Sequence, residues 1–355
     1  VKITYNIYMK ILFNTKDLIS KVKNIAPTAE AKQTMMILGN MVFRVNDNKA
    51  NIRSSDLEIE VSTVVECKSE EDCSFTIPAR KLLEVLNALS DHDEVAVNVT
   101  EKKADITAGK SKISLPTLPV DDYPAVNFSV DDSMTPIDED DVTRIINKTA
   151  FAMAYQDARH FLNGLYLTSD NGKLVSVCTD GHRLAKYTSN TKTTSDVSAI
   201  IPRKAILEIN RILQSFTGSS DVLITYSCNK TNFSLNINEY TIVTKLIEGN
   251  YPDFNKVIPE KTESQITVNK KELKNSLNII SKVVNQQYKG VKLTPASNTM
   301  HLITSNTDSE VGEDQIDVEY NGSEMSIGFN ISYLQDVIDV IDGDTVHICV
   351  NDQNS

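Results

Sequence analysis

The sequence predicts an α+β protein made of three similar units, and three observations support this fold class. A strand-helix motif occurs three times in 355 residues at nearly equal spacing. A helical pattern of apolar residues precedes each copy, and an alternating apolar pattern follows it. The composition, with 40% apolar and 24% charged residues, is that of an ordinary globular protein and argues against a disordered, collagen-like or coiled-coil chain.

The repeated motif is the strongest of these signals. Its three copies, of which the third is the weakest, are SFTIPARKLLEVL at 74–86, SAIIPRKAILEIN at 198–210 and SIGFNISYLQDVI at 326–338. Pro78 and Pro202 stand where the first helical residue needs no N–H donor, and Asn330 is a suitable N-cap in the third copy. We therefore predict a short strand followed by a helix in each unit.

Apolar spacing predicts the remaining elements of each unit. Amphipathic helices are expected at 16–24, 139–148 and 270–283. Strands are expected after the repeated motifs, at 95–99, 222–226 and 346–350, and extended segments such as 161–168 follow the first helices. Polar, proline-bearing stretches at 130–138 and 258–264 separate the units. The predicted domains are 9–130, 131–258 and 259–355, after an upstream extension at 1–8.

The charge distribution is uneven. A net charge of −12 argues against a simple basic nucleic-acid binder. Cations nevertheless outnumber anions in three predicted helical segments, at 15–32, 203–211 and 270–282. Two other helical segments, 138–148 and 332–342, are acidic. The pattern predicts an incomplete basic face on an acidic body.

Cysteine spacing and short motifs exclude several classes of protein. The five cysteines are an odd number without any CxxC, which argues against a disulfide framework or a zinc site and suits a reducing cytoplasm. No apolar stretch approaches the roughly 20 residues of a membrane span. Phosphate-binding, dinucleotide-binding and hydrolase motifs are missing from the sequence. We therefore expect no cofactor, no metal and no catalytic residue.

The most enzyme-like segment is TDGHR at 179–183. Asp180 and His182 could form an acid-base pair or bind a metal, so a metal-dependent hydrolase is the alternative hypothesis. A metal site needs three or four ligands, however, and no further cluster of ligands is nearby in the sequence. Asp-Gly is also common in turns, so a polar turn is the favoured interpretation.

Several motifs, in the same order along the chain, resemble the bacterial DNA polymerase III beta subunit, which is the sliding-clamp family. They are FLNGLYL at 161–167, VCTDGHRLA at 177–185 and LIEGNYPDF at 246–254, with ILGN at 37–40, LPTLP at 115–119 and IGFN at 327–330. The resemblance implies the DNA clamp fold, in which each of three domains sets two helices against an antiparallel sheet. It also implies a head-to-tail dimeric ring that encircles duplex DNA and contacts phosphates rather than base edges.

The resemblance also implies three sets of site residues. The DNA-binding positions are Lys32, Gln156 and His160, to which the charge distribution adds Lys21, Lys23, Arg203, Lys204, Lys270 and Lys274. The pocket for partner peptides comprises Leu162, Thr179, Gly181, His182, Arg183, Leu184, Pro252, Lys256 and Val257. The dimer interface pairs Lys110, Lys112, Ile113 and Leu115 with Val283, Val284, Asp308, Glu310, Glu313 and Asp314.

Implied partners are a second copy of the chain, double-stranded DNA, the replicative polymerase, the clamp loader and repair proteins. A protein-only scaffold that never encloses DNA is a third hypothesis. Two departures from the family pattern are visible. The sequence ends near 355 without the final strand and apolar tail that the family has, and the segment at 32–36 lacks the prolines expected before the strand that begins near Ile37.

Overall fold

The computed structural model describes residues 9–29, 35–124, 134–193, 196–219, 221–259, 262–285 and 287–351. In these residues the chain forms six α-helices and 22 strands, and the order of elements repeats three times. The first repeat contains β1 (Met9–Asn14), α1 (Thr15–Ile25), β2 (Asn40–Asn46), β3 (Lys49–Ser55), β4 (Ile59–Ser69), β5 (Cys73–Pro78), α2 (Ala79–Ala88), β6 (Glu94–Val99), β7 (Lys103–Ala108) and β8 (Ser111–Pro116).

The second repeat has the same order of elements. It contains β9 (Thr135–Ile137), α3 (Glu139–Thr149), β10 (Gly164–Asp170), β11 (Lys173–Thr179), β12 (Leu184–Lys192), β13 (Ser198–Pro202), α4 (Arg203–Gln214), β14 (Ile224–Cys228), β15 (Asn232–Ile237) and β16 (Tyr240–Lys245). The third repeat contains β17 (Ser264–Asn269), α5 (Lys270–Ile280), β18 (Gly290–Pro295), β19 (Thr299–Ser305), β20 (Val311–Tyr320), β21 (Ile327–Asn330), α6 (Ile331–Val340) and β22 (Thr345–Val350). The predicted triplication and the α+β class are confirmed.

The start of the second helix in the first two repeats differs by one residue from the prediction. Pro78 and Pro202 are N-cap residues with extended backbone, and not the first helical residues. Each proline still pairs with a strand, opposite Asn40 and Gly164 respectively, so the strand continues through it. In the third repeat Asn330 is the N-cap as predicted, and its side chain accepts the Ser332 N–H at 2.9 Å.

Two further boundaries differ from the sequence-based expectation. The helix predicted at 270–283 ends at Ile280, and a 3₁₀ turn at Ser281–Val283 follows it. Tightening of a last helical turn satisfies carbonyls that have no partner within the helix. The extended segment predicted at 161–168 begins instead with a 3₁₀ turn at His160–Leu162, and β10 follows from Gly164.

The chain divides into two compact units. The first comprises residues up to Ile146, Met153–Cys178 and Tyr187–Asn250, and the second comprises Asn147–Ala152, Thr179–Lys186 and the chain from Tyr251 onward. One sheet crosses the first unit in the order β8-β7-β6-β1-β4-β16-β15-β14-β9, with β2, β3 and β5 branching from β4. A smaller sheet has the order β12-β11-β10-β13.

The second unit is built on a sheet of six strands in the order β21-β18-β19-β20-β17-β22. Buried apolar side chains of α5 and α6 pack on one face of this sheet, including Leu273, Leu277 and Ile331. Strands in both units pair antiparallel, and alternate residues point to the core. Among the described residues, no helix is long and apolar enough to cross a bilayer.

Candidate functional site

A strand-to-strand joint connects the first two repeats within the first unit. Residues of β16 pair antiparallel with β4, so that Thr241 lies opposite Ser62. At this joint Arg211 of α4 donates to backbone carbonyls near the C-terminal end of α1, including Lys23 O at 3.2 Å. A guanidinium at this end satisfies carbonyls that have no partner within the helix and complements the helix dipole.

Two lysines predicted to bind DNA form ion pairs at this same joint. Lys21 pairs with Glu239, and Lys204 pairs with Asp56. The acidic partners lie far away in the sequence, so the local charge distribution could not reveal them. Both lysines therefore stabilise the joint, and their contact with DNA stays a prediction.

The other predicted DNA-binding cations differ in their surroundings. Lys274 pairs with Asp339 at 2.7 Å. Lys270 donates to the backbone carbonyl of Ile341 at 2.5 Å. Arg203 donates to the backbone carbonyl of Met153 at 3.1 Å. Lys23 has an exposed side chain for which the described residues offer no acidic partner. Lys32 lies outside the described residues.

Gln156 and His160 belong to one exposed loop before β10. The loop is held by Asn163, whose side-chain oxygen accepts the Asp157 N–H and whose amide donates to Asp157 O, both at 2.9 Å. Gln156 has a φ of 55°, a left-handed conformation that a non-glycine residue adopts only when its surroundings fix it. Tyr155, beside it, is 73% exposed. An exposed aromatic residue next to Gln156 is the feature that the sequence analysis missed.

The TDGHR segment forms a polar turn between β11 and β12. The Asp180 carboxylate accepts the N–H groups of His182 at 2.9 Å and Arg183 at 3.1 Å. The Thr179 hydroxyl accepts the Gly181 N–H and donates to Arg183 O at 2.6 Å. Gly181 has a φ of 86°, which favours glycine. Among the described residues, no group of three His, Cys, Asp or Glu side chains is placed to hold a metal ion.

Arg183 is the most strongly held side chain of this turn. Its guanidinium donates to Asp180 at 3.1 Å, to Asp336 at 2.6 Å and to Phe151 O at 2.7 Å. The same group lies 4.3 Å from the centroid of the Tyr333 ring. Only 18% of the side chain is exposed. Tyr333 and Asp336 are partners that sequence reasoning could not identify, because α6 follows the turn by about 150 residues.

Most of the predicted peptide-pocket residues belong to the second unit, and Leu162, which is 2% exposed, belongs to the first. Val257 is 68% exposed and follows Lys256, which pairs with Asp253 at 3.3 Å. Lys186 lies 5.1 Å from the centroid of the Phe254 ring. The second unit therefore presents an exposed apolar side chain at Val257, which suits a peptide with an apolar side chain.

The first half of the predicted dimer interface lies on β8, apart from Lys110 in the preceding turn; β8 pairs with β7 and ends the large sheet. Lys112 forms an ion pair with Asp105 at 2.9 Å, and Lys103 approaches the same carboxylate at 3.2 Å. Hydrogen bonds from Ser114 and then from Lys112 lower the pKa of Asp105 to about 2. The carboxylate is therefore ionised at neutral pH and holds the lysine at the open edge of the sheet.

The second half of the predicted interface is centred on β20, which carries Glu313 and Asp314, whereas Asp308 and Glu310 precede this strand and Val283 and Val284 follow α5. Residues 311–317 of β20 pair with β19, whereas residues 318–320 pair with β17, so the opposite edge of the first stretch has no strand partner among the described residues. Two large apolar side chains near this edge are exposed, Val311 at 58% and Ile279 at 62%. Val284 is 7% exposed and packs in the core of its own unit, and its contact with a second copy stays a prediction.

Three repeats of two helices and an antiparallel sheet, the first two joined edge to edge through β4 and β16, define the class of sliding clamps. Three family profiles match the sequence: the N-terminal domain of the DNA polymerase III beta subunit at 9–127, its central domain at 136–253 and its C-terminal domain at 255–355. The chain belongs to the DNA polymerase III beta subunit family, and it is a bacterial sliding clamp of DNA replication.

Individual relatives agree with this assignment. The beta sliding clamp of Pseudomonas aeruginosa is 32% identical over 98% of this chain and 94% of its own length, and that of Escherichia coli is 29% identical over the same shares. The crystal structure of the Pseudomonas aeruginosa subunit superposes with a TM-score of 0.91 at 31% identity, covering 98% of this chain and 94% of that one. The Caulobacter crescentus clamp superposes at 0.92 with 26% identity, covering 98% and 93%. These comparisons give no support to the hydrolase hypothesis.

Proposed function

We propose that two copies of this chain close head to tail into a ring around duplex DNA. The ring tethers the replicative polymerase, the clamp loader and repair proteins through short peptides, and it acts as a processivity factor without catalysing a reaction. The observation that carries this proposal is the pair of open strand edges, on β8 and on β20. An exposed strand edge with apolar side chains beside it favours pairing with a strand of another chain.

The joint within the chain provides a template for the joint between copies. Pro78, Pro202 and Asn330 each precede a helix, and they pair with Asn40, Gly164 and Gly290 respectively. These three pairs align the three repeats residue by residue. In this correspondence β8 is equivalent to β16, and β20 is equivalent to β4. The β4–β16 joint therefore predicts that β8 of one copy pairs with β20 of the other.

The template also predicts the register of that pairing. Thr241 lies opposite Ser62 at the internal joint. Lys112 is the equivalent of Thr241, and Glu313 is the equivalent of Ser62. An ammonium and a carboxylate that meet across two strands stabilise the pair. The neighbouring residues Ile113 and Gly312 then lie opposite each other, and only glycine fits at 312, because a Cβ atom there would lie 2.7 Å from the Val283 side chain.

Ile279 supports the same interface independently. Counting from the N-cap residues Asn14 and Asn269 makes Ile279 the equivalent of Asn24. Asn24 is 5% exposed at the internal joint, where its amide donates to Tyr240 at 3.1 Å. Ile279 is 62% exposed in the single chain. Closure of the ring covers this apolar side chain, which is a favourable contribution to association.

The DNA contacts that we propose are with phosphates and depend strongly on salt. Lys23, Gln156 and His160 have exposed side chains and fit this role best. Lys21, Arg203, Lys204, Lys270 and Lys274 have intrachain partners, so they contribute mainly to the electrostatic field near the DNA. The net charge of −12 discourages DNA from binding to the outer surface.

Partner peptides are proposed to bind beside the Thr179–Arg183 turn, with Leu184, Pro252 and Val257 as apolar contacts.

A ring that encircles bacterial chromosomal DNA acts in the cytoplasm, and the free state of all five cysteines agrees with a reducing compartment. The domain boundaries at 130–131 and 258–259 remain proposals that the three profile matches support.

The ring is tested by light scattering over a range of concentrations. The expected mass is twice 39.4 kDa. Ile279→Lys is expected to lower it to that of one chain, because a charge would be buried at the interface. Leu223→Lys is the matched control, since Leu223 is 75% exposed and lies outside the interface. The wild-type ring should be retained on circular DNA after loading and should leave linear DNA. A single-chain mass at all concentrations contradicts the proposal.

A further inference from the structure

An apolar cavity of about 30 Å³ lies in the core of the second repeat, enclosed by side chains of α3, α4 and strands of both sheets of the first unit. All of the side chains that line it are buried. Of the described residues in this lining, Tyr226 alone carries a polar side-chain group, and its hydroxyl is hydrogen-bonded to the Thr193 hydroxyl at 2.9 Å. One water molecule needs roughly 10–15 Å³, so there is room for it, but it also needs about two to four polar partners. The lining therefore favours apolar atoms over water.

The first repeat fills the equivalent part of its core with phenylalanine rings. Phe13 and Phe43 meet edge to face, with their ring centroids 6.4 Å apart. Phe13 and Ile137 are both two residues before the first helical residue of their repeat. Phe43 and Leu167 are both the third residue after the one that pairs with the N-cap proline. The second repeat therefore has two smaller, aliphatic side chains in place of the two rings, and both of them line the cavity.

Two aromatic side chains of the second repeat replace part of the lost volume. Tyr226 of β14 and Phe233 of β15 stack with 6.3 Å between their ring centroids, and both line the cavity. Strand register makes Val97 and Ala104 their equivalents in the first repeat. The rings of the second repeat thus stand on different strands, and space remains beside Leu167.

Val142 of α3 also lines the cavity and has a larger counterpart in both other repeats. Counting from the first helical residue, its equivalents are Leu18 in α1 and Leu273 in α5. Each leucine is 1% exposed in the core of its repeat. Valine is one methylene shorter than leucine, and the surroundings of a shortened core side chain collapse only partly onto the space that it leaves.

We propose that this cavity is a binding site for one small, uncharged and apolar ligand, of the size of a xenon atom or a short hydrocarbon. Atoms that line an empty space lack dispersion contacts on that side, and such a ligand restores them. Dry apolar cavities in protein cores bind ligands of this class. The most exposed lining side chains, at 6–8%, are Ile137, Val142 and Ile145, so the ligand enters beside α3. The site goes beyond the proposed function, since it requires neither the ring nor the peptide pocket.

Xenon is the probe, and its binding is measured on the full chain by the methyl resonances of labelled isoleucines. Under several bar of xenon, the methyl resonances of Ile206 and Ile209, which line the cavity from α4, should shift and reach saturation. Val142→Leu adds the methylene that the other repeats have and should abolish these shifts. Leu167→Phe, which restores the ring of the first repeat, should do the same. Leu223→Phe is the matched control, because Leu223 is 75% exposed outside the cavity, and it should respond to xenon as wild type does.

Thermal unfolding provides an independent readout. A ligand that binds only the folded state stabilises it, so xenon should raise the Tm of the wild type and of Leu223→Phe. Val142→Leu should have a higher Tm than wild type without xenon and should gain nothing from the gas. Val142→Leu alone decides if Leu167→Phe does not fold. Equal shifts in wild type and Val142→Leu, or no shift of Ile206 and Ile209 at the highest pressure, would overturn the proposal. A single-chain mass in light scattering would contradict the ring and leave this test intact, because one chain supplies the whole lining.

Discussion

The guanidinium of Arg183 lies over the ring of Tyr333, with 4.3 Å between its central carbon and the ring centroid. It also donates to Asp336 at 2.6 Å, one helical turn further along α6. Arg183 thus connects the Thr179–Arg183 turn to α6 within the second unit. The turn carries His182 and Gly181, two of the proposed peptide contacts. We regard Arg183 as a residue that positions this turn.

Replacing Arg183 is expected to weaken both the fold and peptide binding. Arg183→Ala removes charge-assisted hydrogen bonds, each typically about 1.5–3 kcal/mol, and should lower the free energy of unfolding by roughly 2–3 kcal/mol in urea. Arg183→Lys should not restore it, because one ammonium cannot replace the planar fork or the stacking. Arg159→Ala is the control, since Arg159 pairs locally with Asp157 on the surface. Full stability of the Arg183→Lys variant would contradict this assignment.

A charge exchange tests the predicted register of the ring. Lys112→Glu alone should weaken the dimer, because two carboxylates would meet across the joint. Adding Glu313→Lys should restore most of the affinity, as measured by analytical ultracentrifugation. Lys112→Glu with Glu319→Lys is the matched control, because Glu319 lies on β20 where that strand pairs with β17. Equal recovery in both double variants would show that the register is different.

Asp141 is expected to control acid stability in the second repeat. Burial acts to raise its pKa, but hydrogen bonds from Thr191, Asn190 and Tyr187 outweigh burial and lower the pKa below the usual value. A lowered pKa gives a stabilisation that is complete above the pKa of the unfolded state, about 3.9, and is lost as the pH falls through the folded-state pKa. Asp141→Asn should therefore cost about 2 kcal/mol at pH 7.

The difference in unfolding free energy between wild type and Asp141→Asn should shrink below about pH 4. Thermal unfolding between pH 3 and pH 7 measures it. Asp170→Asn, an exposed carboxylate on β10, is the control. A difference that stays constant over this range would mean that Asp141 contributes through packing and not through its charge.

Thiol modification should distinguish one cysteine from the other four. Burial raises the pKa of Cys73 and of Cys228 to about 11 and also raises that of Cys67, so these thiols contain little thiolate at pH 8. Cys178 is fully buried, whereas Cys349 is exposed on β22. Native protein should therefore release about one equivalent of thionitrobenzoate from Ellman's reagent rapidly. Cys349→Ser should abolish this phase, and Cys228→Ser should leave it unchanged.

The sequence was sufficient to predict the repeated architecture because its signals are local. Apolar periodicity and a proline or asparagine before each second helix are read within about a dozen residues. The one-residue error at Pro78 and Pro202 arises because proline suits the N-cap and the first helical position alike. The polar turn at Asp180 was also correctly favoured, since the Asp-Gly pair itself indicates a turn.

Partners that are distant in the sequence were beyond such reasoning. Counting charges along helices assigned Lys21 and Lys204 to DNA, yet Glu239 and Asp56 pair with them across the joint between repeats. Ile279 escaped notice because helical spacing alone does not reveal which apolar residue stays outside the core. Its exposure becomes informative only beside Asn24, its buried equivalent in the first repeat.

The β4–β16 joint has a thermodynamic consequence for the proposed ring. Its two strands belong to one polypeptide, so the linker holds them at a high effective concentration, and the joint forms however dilute the protein is. The equivalent β8–β20 joint obeys mass action between separate molecules. Dilution should therefore break the ring only between copies, and β4 and β16 should stay paired in each released chain.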